Sequence, residues 1–276
     1  MSVEYRPLCE ARLSDLVCCP GGLELAGKSF AGRLGLVADW HRDRLREGMR
    51  GFVAYAEGVP RGFVEYAPAD VAPFPIEAPG ACVLLCFHWA GTQPEDPQHL
   101  AEERRMIEAA TADARPAFAG MAALGWSHPT HYPIALLLGL GFREIVRDEP
   151  IALLWLPFQA GSATPTLARP TFRARDLGAH GVLAIDQAWS ARCPYSIHFA
   201  ERMRDVVSTH PDRESIDLRQ VRIDTRDEAF RLAASPWDWG WTYLNAEEIS
   251  LFQYGGDTLR EEIARRVASL GDARAA

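Results

Sequence analysis

From Ser29 to Glu47 the apolar residues Phe30, Leu34, Val37, Trp40 and Leu45 recur near helical spacing. This predicts a helix capped by Ser29 and ended by Gly48. The rest of residues 1–50 reads as mostly helical and irregular, with a turn at Cys18-Cys19-Pro20-Gly21-Gly22. Strands then follow. Gly51–Ala56 and Gly62–Tyr66 flank a turn signal at Glu57-Gly58-Val59-Pro60, which makes a hairpin. Residues 67–80 are rich in proline and read as extended loop. Ala81–Trp89, ACVLLCFHW, is a nearly continuous apolar run, as in a central strand covered on both faces.

A long helix comes next. Asp96 suits its N-cap and Pro97 its first position; Leu100, Met106, Ile107 and Ala110 form its stripe, and Pro116 stops it. A strand at Gly120–Trp126, a short helix at Pro133–Leu140, and strands at Ile145-Val146 and Ile151–Leu156 complete a first unit, residues 1–160. The stretch from Gln159 to Pro170, rich in Ala, Thr and Pro, reads as the boundary. The second unit, 171–276, has a strand at Gly181–Asp186 and a helix opening at Cys193-Pro194-Tyr195-Ser196 and running to about Val207. A strand at Leu218–Ile223, a helix at Asp227–Ala234, a hairpin around Asn245-Ala246 and a terminal helix at Asp257–Leu270 follow. The fold class is α/β (α+β), in two units.

Composition narrows the function. The 276 residues are 48% apolar and 24% charged, ordinary for a soluble globular protein, and the net charge of −8 disfavours nucleic acid as a partner. No run approaches the roughly 20 apolar residues of a membrane span, and the charged N-terminus does not resemble a secretory signal. The expectation is a cytoplasmic protein with a small-molecule substrate; a homodimer is allowed. The six cysteines do not form a secreted disulfide framework, so most should be free thiols.

Acid–base chemistry points to Glu65, on the same strand face as Phe63, and to His88 in the apolar strand, read as facing the same side as Cys86 and Cys82. The alternatives are an exposed strand glutamate and a structural core histidine. Cys86 and His88, with His128 and His131, could hold a metal if the 127–133 loop folds over the strand, though their spacing matches no recognised zinc pattern. Cys193, at a strand-to-helix junction beside Arg192, meets amide dipoles that favour thiolate; the alternative is an inert cysteine. Trp237, Trp239 and Trp241 with Asp238 could wall a pocket or simply pack a core.

Residues 51–158 resemble the GNAT acetyltransferase superfamily, through the hairpin, the central strand, the long helix and Gly139-Leu140-Gly141-Phe142. With Gly62-Phe63-Val64-Glu65-Tyr66, Cys86-Phe87-His88-Trp89, and the segment from Asp186-Gln187 to Cys193-Pro194-Tyr195, the chain resembles GNAT proteins carrying a C-terminal YoaP-like domain. The second unit's β-α-β-α-β-β-α order is thioredoxin-like, and Cys-Pro-Tyr-Ser resembles the glutaredoxin Cys-Pro-Tyr-Cys with Ser196 in place of the resolving cysteine. Ser235-Pro236 stands where such folds place a cis-proline. The resemblance implies an acyl-CoA-dependent N-acetyltransferase with acetyl-CoA as cofactor. Glu65, His88, Cys86 and Cys193 are its catalytic candidates, and Phe87, Trp89, Gln98, His99 and Arg104 its cofactor-binding candidates.

One segment departs from the family pattern. GNAT proteins hold pyrophosphate on a glycine-rich loop at the long helix's start. Here Pro94 and Pro97 remove N–H donors, and Glu95, Asp96, Glu102 and Glu103 add negative charge. Either Arg104 and Arg105 fold back to compensate, or the segment is a well-capped helix and the protein is a thiol-dependent or ligand-binding one that has lost CoA.

Overall fold

The computed structural model describes residues 2–18, 31–90, 92, 96–128, 132–168, 172–233, 241–253 and 255–275. The chain divides into two compact units, Met1–Ala168 and Arg169–Ala276. The turn residues from Cys19 to Gly22 and the helix cap at Ser29 lie outside the described residues.

The first unit is built on a seven-stranded mixed sheet in the order β1-β2-β3-β5-β6-β8-β7. Its strands are β1 (Val3–Pro7), β2 (Arg50–Ala56), β3 (Val59–Pro68), β5 (Cys82–Trp89), β6 (Gly120–Trp126), β7 (Arg143–Asp148) and β8 (Ile151–Pro157). Helices α1 (Ala31–Arg46), α2 (Pro97–Ala114) and α3 (Ile134–Gly139) complete it. The caps of α2 are local. The Asp96 side chain accepts from the Gln98 N–H at 2.8 Å, Pro97 occupies the first turn, and the helix ends at Ala114, two residues before Pro116. α1 ends where Gly48 takes φ +100°, a conformation that favours glycine.

Two expectations change. β1, read as helical or irregular, pairs antiparallel with β2 along its whole length. Five residues of mixed character carry too little periodicity to announce a strand; the pairing supplies it. The proline-rich loop and the linker also meet: β4 (Ile76–Glu77) pairs with β9 (Thr166–Leu167), so the linker contributes a strand to the first unit.

In the second unit β10 (Leu183–Trp189), α4 (Pro194–Ser208), β11 (Ile216–Arg222), α5 (Arg226–Leu232), β12 (Thr242–Leu244), β13 (Glu247–Ile249) and α6 (Gly256–Ala275) follow in order. The four strands lie as β11-β10-β12-β13; β10 and β11 are parallel, the other pairs antiparallel. One core cluster joins Leu183 and Ile185 to Phe199 and Met203 of α4 and Leu259 and Ile263 of α6. Asp186, 1% exposed, is neutralised by Arg219 through both carboxylate oxygens and by Arg175, so its burial leaves no unpaired charge. Among the described residues no helix is long and apolar enough to cross a membrane.

Candidate active site

The sheet opens at one place. β5 and β6 run parallel but pair only over Cys82–Leu84 with Met121–Ala123; beyond that point they part. The break coincides with a bulge. On the other side of β5, Glu65 pairs with Cys86 and Tyr66 with Leu84, so Leu85 is an extra residue. Past the bulge, among the described residues, β5 has no strand partner on its β6 side. The extra residue also reverses the alternation of side chains. Cys86 and His88 therefore fall on the face opposite Cys82, not the same one, because three β3 residues separate the partners Glu65 and Pro68. Burial pushes the Cys82 thiol pKa well up, and its Sγ lies 3.6 Å from the Gly120 carbonyl, which marks it as a core residue.

Glu65 is neither exposed nor half-buried; it is 2% exposed. Its carboxylate lies 2.8 Å from His41 Nε2, and His41 Nδ1 lies 2.8 Å from the Val37 carbonyl. That carbonyl can only accept, so Nδ1 carries a proton. The carboxylate then shares a second proton with Nε2, whichever group holds it. Sequence reading missed His41, which lies 24 positions from Glu65. The one available signal was its place beside Trp40 on the apolar stripe of α1.

Tyr132, just before α3, was also missed. It is buried, its hydroxyl lies 2.7 Å from Cys86 Sγ, and its ring is 4.7 Å from that of Phe87. Phe87 is therefore a packing partner. Trp89 is fully buried and offers a cofactor no surface. Gln98 is exposed at the start of α2, with its backbone N–H on Asp96.

His99 is not a surface contact. It is 1% exposed and faces Glu103, one turn along α2. His99 Nε2 lies 3.1 Å from Glu103 Oε1, close enough for charge attraction but off the ring N–H direction; among the described residues neither Nε2 nor Glu103 Oε2 has a hydrogen-bond partner. His88 Nδ1 lies 3.8 Å from the same carboxylate oxygen. Burial raises the Glu103 pKa, and His99 and the Trp89 backbone amide offset this only in part. Burial lowers the His99 pKa, but Glu103 and the Thr92 carbonyl outweigh it and the net direction is upward. The expected grouping of Cys86 and His88 with His128 and His131 is not what the described residues form. His128 is exposed beside Trp126, Cys86 meets Tyr132, and His131 lies outside the described residues.

Neither arginine folds back over the start of α2. Arg105 pairs with buried Glu102, and Arg104 reaches the Gly139 carbonyl at 3.0 Å. Arg104 thereby lines a cleft of about 940 Å³ between the first turns of α2, the end of β6 and α3. Leu100, Trp126 and Ile134 make its walls largely apolar, and Arg147 lies at its rim, tied to Glu144 and Glu149. Pro94 and Glu95 lie outside the described residues.

In the second unit Cys193 is half-buried and is the N-cap residue of α4, with Pro194 in the first turn. A residue not foreseen, Asp224, organises the preceding loop. Its Oδ1 accepts from the Ala191 N–H at 2.8 Å and the Ser190 hydroxyl at 3.0 Å. Buried Ser196 accepts from the Ser190 N–H at 2.8 Å, so its hydroxyl braces the loop. Trp241 is a core residue against Phe172 and Tyr243. Ser235, Pro236, Trp237, Asp238 and Trp239 lie outside the described residues.

No protein-family model matches the chain, and no curated protein matches it. Solved structures do. A GNAT-family acetyltransferase from Brucella melitensis, in complex with acetyl-CoA, is 12% identical over 60% of this chain and 95% of its own, with a TM-score of 0.41. The PaiA N-acetyltransferase from Thermoplasma acidophilum, in complex with coenzyme A, is 13% identical over 57% and 99%, with a TM-score of 0.40. A ribosomal-protein-alanine N-acetyltransferase from Brucella melitensis is 17% identical over 60% and 99%, with a TM-score of 0.39. Likeness of this degree concerns chain path alone.

Proposed function

We propose that the first unit is an acyl-CoA-dependent N-acyltransferase of the GNAT type, acting on a small amine. The observation that carries this reading is the parting of β5 from β6 at the Leu85 bulge. A pantetheine arm carries two amides and needs backbone partners; the open side of β5 supplies a row of them. The apolar cleft between α2, the end of β6 and α3, with Arg104 in its wall, has room for the rest of the cofactor and a cation for its phosphates.

In the reaction the amine nitrogen attacks the thioester carbon, and a backbone N–H on the open side of β5 at the bulge receives the developing oxyanion. The C–N bond forms and the C–S bond breaks. The amine proton passes, through a bridging water, to the Oε1 atom of Glu65, whose Oε2 is held by His41. The leaving CoA thiolate takes a proton from the Tyr132 phenol, whose hydroxyl lies 2.7 Å from Cys86 Sγ just past the bulge. Amide and free CoA thiol result.

Calorimetry with acetyl-CoA tests this. Saturable micromolar binding, weakened at least about tenfold by Arg104→Glu through charge reversal at the phosphates, is the expected result. Absence of binding at millimolar acetyl-CoA would sink the proposal.

A second reading concerns the second unit, favoured by Cys193 at the N-cap of α4 behind the first strand of a β-α-β-α-β-β-α unit. We propose a thioredoxin-like, YoaP-like domain whose single thiol forms mixed disulfides, because Ser196 is a brace and not a resolving group. Alkylation rate against pH tests it; a Cys193 thiol titrating like free cysteine removes the idea.

A further inference from the structure

We infer that His88, His99 and Glu103 form a divalent-metal site of the zinc class, joining the end of β5 to the first two turns of α2. This is separate from the acyl-transfer reading and does not depend on it. The three donor atoms lie within 4.8 Å of one another. Donors around a tetrahedral zinc ion stand about 3.3 Å apart. His99 and Glu103, at 3.1 Å, already meet that spacing, and a shift of about 1.5 Å by His88 brings in the third.

The surroundings fit ligation. His99 and Glu103 are i, i+4 neighbours on one helix face, so the helix itself sets their spacing. Both are almost wholly buried, yet among the described residues His99 Nε2 and Glu103 Oε2 find no hydrogen-bond partner, a costly arrangement that a metal would relieve. His99 Nδ1 lies 3.4 Å from the Thr92 carbonyl, which can accept its proton and leave Nε2 as the atom free to ligate. A backbone acceptor behind a ligand imidazole is the usual way such a ring is oriented. Two imidazoles and one carboxylate form a donor set suited to Zn²⁺, with the fourth position left for water. His88, 19% exposed, provides the way in. A divalent ion here would also offset much of the negative charge that Asp96, Glu102 and Glu103 bring to the start of α2.

The plain alternative is a buried ion pair of His99 and Glu103 with the His88 ring tilted against that of His99, 5.5 Å away. Titration of the metal-stripped full chain with Co²⁺ separates the two. The expected result is one equivalent bound with the visible absorption of a tetrahedral site, displaced by one equivalent of Zn²⁺. His88→Ala should weaken Co²⁺ at least about 100-fold, since loss of a mere outer-shell partner already costs 10–100-fold. The partly exposed position spares the core, and the variant's circular dichroism should match the parent's. Should His88→Ala not fold, His88→Asn, closer in shape, carries the same comparison. No tetrahedral spectrum at millimolar Co²⁺, or affinity equal in the parent and the His88 variant, overturns the site.

Discussion

Removing the Glu65 carboxylate should expose how the pair at the core of the first unit is held. His41 and Glu65 are 3% and 2% exposed, and His41 is already committed through Nδ1 to the Val37 carbonyl. Glu65→Ala leaves a buried imidazole nitrogen with no partner and, where the proton stays on His41, a buried unpaired charge. Breaking a buried pair in this way costs about 3–5 kcal/mol. Glu65→Gln is milder. Its amide can donate to Nε2 of neutral His41, so only the charge-assisted part of the bond is lost, about 1–2 kcal/mol. His41→Ala combined with Glu65→Ala should cost less than the sum of the singles, with a coupling of about 1.5–3 kcal/mol, because neither change then strands the other group. Hydrogen exchange of the β3 amides in residues 59–68 is the suitable assay, since it reports the first unit alone whereas a whole-chain melt mixes two units. A coupling below about 0.5 kcal/mol, the additivity expected of independent sites, would refute the shared proton.

Three further outcomes follow from particular contacts. Tyr132→Phe should lower kcat by about 10²–10⁴-fold with KM little changed if the phenol protonates the leaving thiolate; a change confined to KM would remove that role. Gly120→Ala should destabilise the first unit by about 1–3 kcal/mol in urea unfolding, because the added Cβ meets the fully buried Trp155 ring and the Leu156 carbonyl; a change under about 0.5 kcal/mol would mean that the sheet yields there. Alkaline pH should weaken the fold. Burial, then the bond to Asp15, pushes the Tyr55 pKa up to about 12, and burial, then Asp113, raises that of Tyr66 further. Both folded values exceed the unfolded one, so their stabilisation is complete below about pH 10 and lost as pH rises through the folded values, by up to about 1.4 kcal/mol per pH unit for each phenol. Urea unfolding at pH 9 and 11 measures this; Tyr55→Phe and Tyr66→Phe should each flatten the slope.

What the sequence determined by itself was whatever depends on neighbours along the chain. The apolar run of β5, the cap and stop of α2 at Asp96 and Pro116, the hairpin of β2 and β3 and the order of elements in the second unit are local signals. Propensity, capping and periodicity act within a few residues. Glu65, His88, His99, Cys86 and Cys193 stood out by residue type, because few side chains can move protons, bind metals or attack carbon.

Their partners were decided only by the tertiary structure. His41 meets Glu65 because α1 packs on the sheet, Tyr132 meets Cys86 across the end of β5, and His88 meets Glu103 where α2 turns back over the strand. The bulge at Leu85 was equally hidden. One extra residue in a nearly continuous apolar strand leaves no mark on its pattern, yet it changes the face of every residue that follows and opens the sheet. Sequence spacing measures distance along a chain; hydrogen bonds and metal sites depend on distance across it, and that is set by which strands pair and in which register.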